Sequence, residues 1–217
     1  MKKIIIQLVL IGSCIHISAQ DSLKKRFELG VTLATFNSFN HSIYHSENRL
    51  PFEFCNGLFF RYSMNRFALR AQASYYQNKY AFNSAGITDG TDESGINHAF
   101  RIGIGGQYSL LKKKEWLYAF VDLNYRNINS TGTVVGGVWG GTKNYTAKSN
   151  GIDTYFGLGF KLKVFKSVYL SPELFNNFYI GATNKIGTDA NSGIISKSTM
   201  YNVNVNPGVR VHLTVKF

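Results

Sequence analysis

The sequence predicts an all-β fold: an eight-stranded, antiparallel, up-and-down transmembrane β-barrel, preceded by a signal peptide that is cleaved. Three observations lead there. The first is the final stretch, residues 201–217. Tyr201, Val203, Val205, Pro207, Val209, Val211, Leu213, Val215 and Phe217 form one row; Asn202, Asn204, Asn206, Gly208, Arg210, His212, Thr214 and Lys216 form the other. Side chains on a strand alternate between faces, so one face is apolar and the other polar. The pattern outlasts both the ~5–6 residues of a soluble strand and the ~9–11 that a tilted strand needs to cross a bilayer. The second observation is that connections between alternating segments run long, short, long, short, as in barrels with tight periplasmic turns and larger extracellular loops. The third is that the charged residues share a face with glycine and tyrosine, opposite Leu, Val, Ile and Phe.

The first twenty residues read as a signal peptide, leaving a barrel domain at 21–217. Lys2 and Lys3 precede a mostly apolar run, and Ile17-Ser18-Ala19-Gln20 supplies a small residue for cleavage. Ile11-Gly12-Ser13-Cys14 resembles a lipobox, which would make Cys14 the lipidated first residue. With ordinary cleavage Cys55 is the one cysteine left, and no intrachain disulfide can form. The whole sequence has 24 Lys+Arg against 12 Asp+Glu, net +12. A basic exported chain without a nucleic-acid motif points away from DNA and RNA and towards the phosphate-rich lipopolysaccharide leaflet. No apolar run reaches the ~18 residues of a membrane helix, but barrel strands interleave polar residues and do not need one. Aromatic content is 15%, with 17 Phe and 13 Tyr, as two interfacial girdles would require.

The strands follow in order. Residues 26–36 place Phe27, Leu29, Val31 and Leu33 outward, and Glu28, Gly30, Thr32 and Ala34 inward. Residues 52–63 place Phe54, Leu58, Phe60 and Tyr62 outward, with Asn56 breaking that row. Residues 67–80 carry Arg70 inward and residues 97–110 carry Arg101 inward. Residues 116–127 carry Asp122 and Arg126, and residues 151–165 carry Asp153 and Lys161. Residues 168–179 carry Glu173, and Pro172 there predicts a bulge because it lacks a ladder donor. Residues 201–217 carry Arg210 and close the chain. Residues 37–51, 81–96, 128–150 and 181–198 are then long loops.

Eight strands make a barrel just wide enough for side chains to fill. Glu28, Asp122, Asp153 and Glu173 should therefore pair with Arg61, Arg70, Arg101, Arg126, Lys161 and Arg210 in a structural lumen network. Tyr76, Tyr118, Tyr155 and Tyr169 are expected to hydrogen-bond among them, while Gly57, Gly103, Gly105, Gly157 and Gly159 leave room along the wall. A filled lumen argues against an open pore. A soluble lipocalin-like barrel would bury these charges inside an apolar core, at several kcal/mol per unpaired ion.

The loops hold one candidate for chemistry, His41-Ser42 and His45-Ser46-Glu47. Lipid A deacylases are barrels that use a His-x-Ser pair on one strand face. Here each His and Ser is adjacent, so on a strand they point apart, and polar decoration is the plainer reading. Neither a metal-ligand spacing nor a cofactor motif is present. Asp89, Asp92 and Glu93 fall short of a complete calcium loop.

The Ile17–Gln20 ending, the glycine-studded stretches at 101–108 and 155–161, and the terminal Val209-Arg210-Val211-His212-Leu213-Thr214-Val215-Lys216-Phe217 resemble the small PorT-like outer-membrane barrels of Bacteroidota, broadly similar to OmpA/OmpX-type barrels. That resemblance implies an outer-membrane location. It also implies that the barrel-assembly machinery reads the C-terminal signal, with Val215 and the aromatic Phe217. The leading expectation is a non-enzymatic barrel, structural or interacting through its loops. A lipid-modifying enzyme, a narrow channel and a secretion-system accessory barrel are the alternatives.

Overall fold

The computed structural model describes residues 27–37, 52–82, 91–111, 116–136, 141–190 and 192–217. The segment read as a signal peptide, Cys14 and the His41–Glu47 cluster lie outside these residues. The strands are β1 (Phe27–Asn37), β2 (Phe52–Met64), β3 (Phe67–Phe82), β4 (Thr91–Ser109), β5 (Leu117–Gly136), β6 (Thr142–Phe160), β7 (Leu162–Lys163), β8 (Val168–Asp189) and β9 (Ile195–Lys216). All pair antiparallel. Neighbours in sequence are neighbours in the sheet, except that β7 does not pair with β6 but follows it along the same edge of β8, and two further pairings, β1 with β9 and β6 with β8, close it into a barrel. A row of paired residues followed from Asn206 through Asn177, Tyr155, Asp122, Gly105, Arg70, Arg61 and Glu28 returns to β9 at Lys216, ten residues further on. That stagger is what tilts the strands, as closure of a barrel demands.

Among the described residues the strands number nine rather than the expected eight, and Pro172 supplies the reason. β6 pairs with β8 as far as Gly159↔Glu173, and β7 resumes at Leu162↔Leu170. The interruption lies opposite Ser171 and Pro172, where a ladder donor is missing. The bulge expected at Pro172 is absent: the β8–β9 register runs unshifted from Val168↔Val215 to Thr188↔Ile195. Losing one bond costs less here than displacing the whole hairpin.

The register shift falls elsewhere, between Thr32 and Ala34 on β1: Leu33 is an extra residue against β9, and on β2 two residues, Cys55 and Asn56, stand opposite it. Cys55 has φ 47°, in the left-handed region. The shift brings Thr35 rather than Ala34 to the buried face. It also accounts for Asn56, which turns from the lipid row and donates to Glu53.

Two of the expected long loops, 128–150 and 181–198, are mostly strand, and strand also enters the third, 81–96, from both sides. β5 and β6 pair as far as Val135↔Thr142, β8 and β9 as far as Thr188↔Ile195, and β3 and β4 as far as Phe82↔Glu93. Beyond the bilayer neither face needs to be apolar, so the alternation stops while backbone pairing continues. β8 and β9 have 22 residues each, ~70 Å of strand against an apolar band ~25 Å tall. A wall of sheet therefore stands above the membrane.

The exterior is apolar and exposed, with Ile104 at 69%, Leu174 at 64% and Val121 at 54%. Phe27, Phe67, Tyr108, Trp116 and Phe160 ring the end that carries the C-terminus; Phe36, Phe54, Tyr75, Phe100 and Tyr125 ring the other. These are the two interfacial girdles. The turn at the C-terminal end between β2 and β3 is tight, with Asn65 at φ 55°, a conformation asparagine tolerates.

Candidate functional site: the charged lumen

Inward positions alternate with the lipid row, so every second residue of each strand meets the others across the lumen. The structure stacks their charges in three groups. At the C-terminal end, Glu28 is fully buried and accepts from Arg61 Nε at 3.0 Å, from Arg61 Nη2 and from Lys161 Nζ. Arg61 Nη1 also donates to Gln107 Oε1 at 3.0 Å. In the middle, Glu173 accepts from Arg70 Nη2 at 3.0 Å, from Tyr118 Oη at 2.8 Å and from Arg210 Nε. Asp122 takes Arg70 Nη2 at 3.2 Å and Arg210 Nη2. Towards the far end, Asp153 pairs with Arg101 at 3.3 Å and with Arg126 at 3.5 Å, and Glu53 lies within electrostatic reach of both arginines.

The middle group carries two arginines against two carboxylates, and the far group does the same. In these two groups each guanidinium is therefore matched in place, which is the condition for tolerating buried ions, whereas Arg61 and Lys161 share Glu28. Aromatic rings pack between the layers. The Arg70 guanidinium lies 4.3 Å from the Phe120 ring centre, and Arg126 lies 4.0 Å from that of Tyr179. Phe59 stacks on His212 at 4.1 Å. Such contacts favour arginine, whose planar cation stacks as well as pairs.

The ten charged residues expected to meet in the lumen are all placed on this face. The tyrosines expected to hydrogen-bond among these charges divide. Tyr118 donates to Glu173, but Tyr155 stacks on Phe175 at 4.7 Å, its hydroxyl without a partner among the described residues. Tyr169 offers its ring to Lys161 Nζ at 4.6 Å. Gly159 shows why glycine shares this face: a Cβ there would sit 2.3 Å from Tyr118 Cζ.

Several participants were not singled out from the sequence. Gln72 joins Asn124 at 2.6 Å and Arg210 at 2.7 Å. His212 lies 3.3 Å from Glu173 and 3.2 Å from Thr32. Both stand at inward parity, which was the available signal. A second buried cluster sits in the sheet above the membrane, within a segment read as loop. Glu93 accepts from Tyr145 Oη at 2.8 Å and Tyr80 Oη at 3.1 Å, and the two phenols touch. Burial pulls the nearby Lys185 ammonium below its ordinary pKa, and Glu93 opposes that shift. Among the described residues, no group of three or more His, Cys, Asp or Glu could hold a metal ion.

No protein-family model matches the chain, and no curated protein matches it. Solved structures do. A major outer membrane protein from Thermus thermophilus superposes with a TM-score of 0.53 at 13% identity, over 88% of this chain and 98% of that one. Acinetobacter baumannii CarO2 gives 0.45 at 10% identity, over 88% and 100%. The first likeness is one of fold. It agrees with the apolar exterior and charged interior: the chain has the architecture of an outer-membrane β-barrel and is placed in that membrane.

Proposed function

We propose that this chain is a non-enzymatic integral barrel of the PorT-like kind, exported by a cleaved signal peptide, with a lumen closed by its own side chains. Its contact surface is then the sheet above the membrane. The observation that carries this reading is the middle layer, in which Arg70 and Arg210 lie across the lumen against Asp122 and Glu173 with at most 3% of any of these residues exposed. A channel would need those groups to face water. Planar-bilayer recording of the purified barrel is expected to show no stable conductance, and a reproducible open level would overturn the closed lumen.

The lipopolysaccharide leaflet and the barrel-assembly machinery are the proposed partners. Val215 pairs with Leu29 and Val168, and the Phe217 amide donates to Phe27 O at 2.8 Å, so the C-terminus forms part of the closing seam. Deleting Phe217 is expected to lower the amount of barrel in the outer membrane several-fold. Immunoblots of membrane fractions test this, and undiminished levels would remove the C-terminus from the assembly signal.

A further inference from the structure

The outer surface is not the same on all sides. On β5 the lipid-facing row runs Leu117, Ala119, Val121, Leu123 and Tyr125, then changes to Asn127, Asn129, Thr131 and Thr133. On β6 it changes at the same place, because Asn127 pairs with Asn150 and Asn129 with Lys148. The amides are organised rather than scattered. Asn150 Oδ1 accepts from Asn127 at 2.6 Å and from Tyr125 Oη at 3.0 Å, and Asn127 Oδ1 accepts from Asn129 at 2.9 Å. On β9 the outward row stays apolar for longer, with Val205 at 63%, Val203 at 64% and Tyr201 at 85% exposed.

Directly above the amides, β3 to β6 form a shallow, open depression on the outer wall. Lys79, Ile96, Thr131 and Thr146 cross it as one paired row. Gly95 and Gly132 form its floor, and Tyr80 and Tyr145 lie behind them. Lys148 stands one outward position below Thr146, and both lysines are exposed. Among the described residues of these strands, the outward row of β4 reaches a carboxylate at Asp92, beyond Ser94 at the upper rim. Cations, hydroxyls and amides thus converge on one side, just above the aromatic girdle, at the height where lipid headgroups lie.

We propose that this depression holds the phosphorylated sugar headgroup of an outer-leaflet glycolipid. Lys79 and Lys148 take phosphate, while Thr131, Thr146 and the amides take sugar hydroxyls. The acyl chains lie along the apolar rows of β4 to β6 below. Exposed lysine–phosphate contacts are individually weak and salt-sensitive. The hydroxyl and amide donors beside them are what make the face selective for sugar phosphate over charge alone.

The proposal rests on the outer-membrane reading, and the test separates the two. The purified barrel in detergent is titrated with bisphosphorylated lipid A, dephosphorylated lipid A and phosphatidylglycerol, with binding read by native mass spectrometry. Lipid A is expected to bind the parent, and binding should fall about tenfold in a K79Q/K148Q variant, roughly 1.4 kcal/mol. K197Q, on the β9 wall, should leave binding unchanged. Equal binding by the double variant, an equal loss in K197Q, or equal binding of phosphatidylglycerol or dephosphorylated lipid A would each overturn the site. All three proteins should show the heat-sensitive gel shift of a closed barrel. A parent without that shift would defeat the membrane reading itself.

Discussion

Replacing Ile104 with arginine is expected to destabilise the bilayer-inserted barrel by ~2–4 kcal/mol, the cost of a cation near the midplane on a lipid-facing strand position. Ile104 is 69% exposed and stands midway along the outward row of β4, between Ile102 and Tyr108. In water the same change would remove an exposed apolar side chain and stay within ~0.5 kcal/mol of neutral. The size of the effect therefore reports which solvent surrounds the barrel. Urea titration of folding into phosphatidylcholine vesicles gives the number. An I104R barrel as stable as its parent would reverse inside and outside, and the charged row would have to be read again as a surface.

Glu173→Gln is expected to cost ~3–5 kcal/mol, because it leaves buried arginines without their counter-charge. Glu173 is 1% exposed and receives Arg70, Arg210 and Tyr118 at once, and glutamine retains its shape but not its charge. Asp122 alone then faces two guanidiniums. The contrast is a variant that removes the group together, Arg70→Met, Glu173→Leu and Arg210→Met, with Asp122→Asn. Replacing buried ions jointly with apolar groups of similar volume is often neutral or stabilising. If the joint variant recovers stability while E173Q does not, the layer is held by mutual charge compensation. A single E173Q variant indistinguishable from the parent in the same titration would show that the layer contributes little to holding the barrel.

The two predictions draw on parts of the molecule that were unequally legible in the sequence. Ile104 could be assigned to lipid from alternation alone, since the side-chain period of a strand is two and nothing in β4 shifts it. The same parity put Glu28, Asp122, Asp153, Glu173 and the five lumen arginines on one face. It failed where the chain departs from a simple ladder. The register shift at Thr32/Ala34 exchanged Ala34 for Thr35, and the missing donor of Pro172 split a strand instead of bulging one. Glu93, Tyr80 and Tyr145 were hidden for a different reason. Above the bilayer both faces of the wall are wet or polar, so sequence alternation ends at Tyr125 and Ile152 while the strands continue to Gly136 and back from Thr142.

By itself, then, the sequence determined the membrane-facing band, its polarity and the residues turned inward, because one buried face per strand writes a period of two into the chain. Only the tertiary structure decided which charges meet. Arg70 on β3 finds Glu173 on β8, 103 positions away, because closure and a ten-residue stagger bring those strands across one lumen. It also decided where strands end above the membrane and which side of the wall carries the depression. Those outcomes depend on cross-strand register and barrel curvature, which no local pattern of residues encodes.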